Sequence, residues 1–148
     1  MKIAIASDHA GFPLKHHLVN FLHKHGFEVL DLGVENADTP ADYPDAAQAV
    51  GEAILSGKAE RGILLCGSGV GACIAANKMK GIYASITHDT YSAAQGVEHD
   101  RMNVMCLGAR VIGQNVAETL ALAFLNAKVS EEDRHARRFG KVQKIENS

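Results

Sequence analysis

The side chains able to do chemistry fall in a few short blocks: Ser7-Asp8-His9-Ala10-Gly11, Cys66-Gly67-Ser68-Gly69-Val70-Gly71, His88-Asp89 and Gly108-Ala109-Arg110. A thiol standing directly before a glycine-rich turn is the most informative of them. Glycine carries no side chain, so the amides of 67–71 can approach a ligand closely, and the start of a following helix favours negative charge. A cysteine at position 66 is therefore suited to act as a thiolate. Farther on, Arg134 and Arg138 lie one helical turn apart in Arg134-His135-Ala136-Arg137-Arg138. That spacing can clamp a phosphate from two sides, and it equally suits a solvated helix face. The blocks that end strands would thus supply acids, histidines and a thiol to one rim.

The elements around these blocks must bring them to one rim. Short β-rich runs at Lys2–Ser7, Phe27–Leu32, Arg61–Cys66, Ile82–Thr87 and Asn103–Leu107 alternate with helical patterns. The run Gly62-Ile63-Leu64-Leu65-Cys66 is continuously apolar, as a strand covered on both faces requires. Helices are expected from Phe12-Pro13 to Gly26, from Tyr43-Pro44 to about Gly57, after the glycines at 67–71, over Thr90–Glu98, and over Asn115–Ala127. A last helix over about 131–145 puts Phe139, Val142 and Ile145 on one side and is expected to pack on a partner subunit. The alternation predicts one α/β domain over 1–148, a three-layer α/β/α sandwich on a five-stranded parallel sheet, Rossmann-like or flavodoxin-like. Ligands of such sheets gather at the carboxyl ends of the strands, where the chemical blocks fall.

Composition narrows the function further. The 148 residues carry a formal charge of −2, with 47% apolar and 22% charged residues, which gives no general attraction for nucleic acid or an anionic membrane. Any anion must be caught by local geometry. No signal-peptide core precedes the first strand, and three cysteines without CxxC spacing suggest neither disulfides nor zinc, so a cytoplasmic protein is expected. Cys73 and Cys106 are expected to be buried structural thiols, and His16, His17, His23 and His25 to lie on a helix surface without metal geometry. Gly67, Gly69 and Ala72 also satisfy G-x-G-x-x-G/A, with Asp89 downstream. Because that motif follows the third strand rather than the first, a nucleotide-binding regulatory module is the remote alternative, and a tight turn without a ligand is another.

In order and spacing these blocks strongly resemble the B-type ribose-5-phosphate isomerase family, which includes galactose-6-phosphate and allose-6-phosphate isomerases. Besides the blocks above, Asp42-Tyr43-Pro44, Ile74-Ala75-Ala76-Asn77-Lys78, His99 and Asn103-Val104 carry the resemblance. It implies interconversion of ribose 5-phosphate and ribulose 5-phosphate through a cis-enediolate, with no metal or cofactor. It also implies a homodimer with shared active sites, a tetramer being the next assembly considered. Cys66 would be the base. The branch of the family with a glutamate at position 72 is not matched, since that residue is alanine here. Ser68 would relay a proton between the two oxygens, and the amides of Gly67, Gly69, Val70 and Gly71 would hold the enediolate. His99 of the partner subunit, with Asp8, would open the sugar ring. His9, Arg110, Arg134 and Arg138 would bind phosphate, the arginines coming from the partner subunit, while Tyr43, Asp100 and Asn103 complete the substrate-binding set. The family usually has His-Asn where this chain has His99-Asp100, so the six-carbon 6-phosphates stay open as alternative substrates.

Overall fold

The computed structural model describes residues 1–148. Its elements are β1 (Lys2–Ser7), α1 (Phe12–Lys24), β2 (Glu28–Asp31), α2 (Tyr43–Leu55), β3 (Arg61–Cys66), α3 (Val70–Ala76), β4 (Ala84–Ile86), α4 (Thr90–Asp100), β5 (Val104–Gly108), α5 (Gln114–Asn126) and α6 (Asp133–Glu146). All five strands are parallel, in the order β2-β1-β3-β5-β4. Alternate side chains leave opposite faces of the sheet. Ile3, Ile5, Ile63, Leu65, Met105 and Leu107 pack under α1, α4 and α5. Ala4, Ala6, Leu64, Cys66, Val104 and Cys106 pack under α2 and α3. The expected three-layer sandwich is therefore present.

The outer strands exchange places relative to the flavodoxin order 2-1-3-4-5. β5 is buried along its whole length and takes the interior position, whereas β4 is only three residues long and forms the edge. A strand is expected over Ile82–Thr87, but β4 covers only Ala84–Ile86, and before it the Gly81 carbonyl and Tyr83 amide are bound by the Asn103 side chain. The Asn103 Oδ1 accepts from the Tyr83 amide at 2.8 Å, and its Nδ2 donates to the Gly81 carbonyl at 2.9 Å. β2 likewise loses one residue at each end of the expected run. His17, expected on the surface, is half-buried and ties α1 to α5 through Glu118, with 2.7 Å between Nε2 and Oε2. His16, His23 and His25 are exposed.

α6 folds back on its own chain. Phe139 meets Tyr83 edge-on at 4.9 Å between centroids, and the Arg101 guanidinium lies 4.8 Å over the Phe139 ring. Glu146 closes the contact, accepting from the Tyr83 hydroxyl at 2.7 Å and from the Gly81 amide at 3.0 Å. Val142 and Ile145, on the same stripe, stay exposed.

The phenol of Tyr83 and then the Gly81 amide hold the Glu146 carboxyl below its ordinary range, against the opposing effect of burial. A carboxyl depressed in the folded state stabilises above its unfolded pKa of about 4.3 and loses that contribution as pH falls through the folded value. Below about pH 4 the amides of α6 should exchange with solvent before those of the sheet. Glu146→Gln should remove this pH dependence, and an unchanged exchange profile would place the acid-labile contact elsewhere.

Candidate active site

β1 and β3 are neighbours, with Ser7 paired to Leu65, so the residues that follow them emerge side by side. This is where the strand order reverses direction, the usual ligand position in open α/β sheets. A cavity of about 360 Å³ opens here, lined by Asp8, Tyr43, Cys66, Gly67, Ser68, Gly71, Arg110 and Val111. Three of the four chemical blocks thus reach one cavity in a single chain. The fourth, His88-Asp89, does not. The His88 Nε2 accepts from the Gly108 amide at 3.0 Å, and Asp89 caps α4 through the Ser92 amide at 2.6 Å. That bond holds the Asp89 carboxyl below its ordinary range.

Backbone geometry sets the cavity floor. Gly69 takes a left-handed φ of 83°, which turns the chain sharply between β3 and α3. Its amide donates to Cys66 Sγ at 3.2 Å, while the Val70 amide donates to Ser68 Oγ at 3.2 Å. The amides of Gly67, Ser68 and Gly71 have no acceptor within the chain. The Cys66 sulfur is buried beside them. Asp8, also buried, accepts from the Gly11 amide through Oδ1 at 2.9 Å, leaving Oδ2 unengaged. Position 11 must be glycine, because a Cβ there would lie 2.5 Å from the Leu65 carbonyl oxygen.

Two more side chains complete the wall. A Cβ on Gly71 would lie 2.6 Å from the Tyr43 ring, and one on Gly67 3.3 Å from the Arg110 guanidinium, so both groups lean directly over the turn. Arg110 is exposed and belongs to no ion pair. His9 stands next to the cavity, its Nδ1 3.2 Å from the Ala41 backbone at the end of the β2–α2 loop. The other end of that loop is fixed by Lys15, a buried side chain absent from the expected site. Its Nζ donates to Asp31 at 2.7 Å, to the Leu32 carbonyl at 3.1 Å and to the Val34 carbonyl at 2.9 Å.

The remaining expected residues lie elsewhere in the same chain. His99 and Asp100 end α4, and Arg134 and Arg138 are exposed on α6, where Arg134 pairs with Glu132 at 2.7 Å. Asp100 and Arg138 border a separate cavity of about 500 Å³ between β4, α4 and α6. The Asn103 side chain is committed to the Gly81–Tyr83 backbone. Cys73 differs from the expected inert thiol: it is half-buried, and the neighbouring Cys106 thiol draws its pKa down to about 7. Cys106 is pushed up, first by the Cys73 thiol and then by burial.

Unpaired amides, a thiol, a carboxyl group and an unpaired guanidinium around one cavity are a set that can serve acid–base chemistry on a small anion. The family described as Ribose/Galactose Isomerase matches residues 3–142. The chain belongs to that family of isomerases. It is 41% identical over 145 residues to the Escherichia coli protein named ribose-5-phosphate isomerase B, covering 98% of this chain and 96% of that one. It is 42% identical over 128 residues to a Pectobacterium atrosepticum protein named D-erythrulose-4-phosphate isomerase, covering 86% and 84%. The solved structure of Clostridium thermocellum ribose-5-phosphate isomerase B matches with a TM-score of 0.95 at 43% identity, over 99% of this chain and 98% of that one.

The turn lies so close to β5 that a Cβ on Gly108 would come 2.6 Å from the Ser68 carbonyl oxygen. Gly108→Ala should cost about 1–3 kcal/mol of stability by overpacking. Because the displaced segment carries the free amides, turnover should fall far more than the folded fraction does. Steady-state kinetics beside a thermal melt would show this, and unimpaired turnover would mean that the amides need no such bracing.

Proposed function

We propose that the protein interconverts ribose 5-phosphate and ribulose 5-phosphate through a cis-enediolate, with Cys66 as the base. The observation that carries this reading is the buried Cys66 sulfur facing a cavity floored by unpaired amides, with alanine rather than a carboxylate at position 72. The thiolate takes the proton from C2, and the electron pair of that C–H bond forms the C1–C2 double bond as the C1 carbonyl becomes an oxyanion. Amides aimed at such an oxygen are worth about 3–4 kcal/mol each. Ser68 passes a proton between the two oxygens, and Cys66 returns its proton to C1. Arg110 and His9 hold the phosphate, which supplies binding energy remote from the reacting carbons.

In this reading the substrate also meets His99 of the partner subunit, which opens the furanose with help from Asp8. Arg134 of the partner subunit and Arg138 of the partner subunit close over the phosphate. Two observations support a shared site. These residues line no part of the Cys66 cavity within one chain, and Val70 and Ile74, one turn apart on α3, are exposed beside it. The resemblance to a D-erythrulose-4-phosphate isomerase and the aspartate at position 100 favour a second reading, turnover of a shorter or longer phosphorylated sugar. A coupled assay over four-, five- and six-carbon sugar phosphates separates the two.

Cys66→Ala should retain ribose 5-phosphate binding while kcat falls about 10²–10⁴-fold or more. Deuterium incorporation at C2 should fall with it, and near-normal exchange would assign the base to another residue. The shared site makes a sharper demand. Cys66→Ser and His99→Asn, each nearly inactive alone, should regain activity once mixed and allowed to exchange subunits. Two-fold symmetry then places both lesions in one site of the heterodimer and leaves the other intact. A fully exchanged mixture that stays inactive would put both residues in one subunit.

A further inference from the structure

The contact between α4 and α6 contains a pair of imidazoles that the proposed chemistry does not use in full. His99 and His135 stack with their centroids 3.8 Å apart and their planes 27° from parallel. One turn earlier on α4, Gln95 reaches His99 Nδ1 at 3.0 Å. His99 is thus gripped on one face and one edge, and Nε2 is left as its working atom. His135 is 6% exposed, and its Nδ1 is buried without a hydrogen-bond partner. A ring held by no hydrogen bond at that atom acts on its surroundings through its face.

We propose that His135 is a positioning residue for the isomerase reaction, its ring face fixing the direction in which His99 presents Nε2 to the sugar ring oxygen. The proposal rests on the reading of His99 as the ring-opening residue. Charge agrees with it. Burial, then His99, Arg134 and Arg138 hold His135 below the ordinary histidine range, with Glu132 opposing. The shift favours the neutral form of the His135 ring. Of the other charged groups near the pair, Asp100 borders the cavity between α4 and α6, the Arg101 guanidinium lies over the Phe139 ring, and Asp133 is exposed at the start of α6.

Ring opening can be separated from enolisation by the choice of substrate. Ribose 5-phosphate is mostly a furanose and must open. Ribulose 5-phosphate cannot close a five-membered ring, because its C5 oxygen carries the phosphate. Exchange of its C1 hydrogen with deuterated solvent therefore needs the base but not the ring-opening acid. His135→Ala should lower kcat on ribose 5-phosphate by about 10- to 100-fold, with KM little changed, and leave the exchange into ribulose 5-phosphate nearly intact. His135→Phe keeps an aromatic face against His99 and should restore most of the forward rate. A merely structural role would depress both assays together, and either that result or an unimpaired forward rate in His135→Ala overturns the proposal. His99→Asn serves as the reference. If it fails to separate the two assays, the assignment of ring opening to His99 falls. If it separates them and His135→Ala does not, only the positioning role falls. Should His135→Ala melt too low to assay, the decision passes to His135→Leu, which fills the space without a ring face and should behave as the alanine variant does.

Discussion

The backbone of Gly67–Gly71 lies directly on the end of β5, and the rest of the site hangs from that contact. The Ala109 amide donates to the Cys66 carbonyl at 2.9 Å and the Arg110 amide to the Gly67 carbonyl at 3.0 Å, so the turns after β3 and β5 are stitched into one layer. A Cβ on Gly69 would lie 3.1 Å from the Leu107 carbonyl carbon, which leaves no room for a side chain on either strand of the crossing. These bonds use carbonyls of the first turn and amides of the second. The amides of Gly67, Ser68 and Gly71 are thereby left without an acceptor at the cavity, and Arg110 is delivered to the same place. His88 adds a side-chain brace beneath, through the Gly108 amide.

Such an arrangement answers the problem set by an acidic chain that must bind an anion. With a formal charge of −2, the protein has no broad positive field to offer. Amides held by the turn and the unpaired Arg110 guanidinium act only at short range. Buried cations elsewhere are consumed internally. Lys15 spends its donors on Asp31 and two carbonyls of the β2–α2 loop, and so sets where His9 and Tyr43 can stand.

Much of this was legible in the sequence because parallel strands and their covering helices leave periodic traces. The continuous apolar run at 62–66 announced a central strand, and the blocks at Asp8, Cys66 and Arg110 fell at strand ends that do share one cavity. What escaped depends on single side chains reaching backbone far away in sequence. Asn103 binds Gly81 and Tyr83, Glu146 binds across 63 to 65 residues, and Lys15 reaches beyond Asp31. None of these shows as a pattern, and each relocates a boundary or a role. Asp89 resembled a rim acid and is a helix cap. Cys73 resembled core filler, yet it is half-buried and its Sγ reaches the Ala84 carbonyl at 3.6 Å, a contact that one-dimensional spacing cannot reveal. The order of β4 and β5 was equally hidden, since alternation fixes which elements exist but not which strand takes the edge.

The tail helix shows how the same contacts that stabilise the chain constrain its chemistry. α6 packs on its own chain through Phe139 on Tyr83, Glu146 on Gly81 and the His135–His99 stack. Those contacts hold α6 against β4 and α4, at the edge of the sheet opposite β2. Swinging Arg138 to its own Cys66 cavity would break all of them at once. If the arginines of α6 read a phosphate at that cavity, they must therefore do so across an interface, and the firmer the helix sits on its own subunit, the better it can present them to another. Intrachain anchoring and a shared site are then two consequences of one packing arrangement.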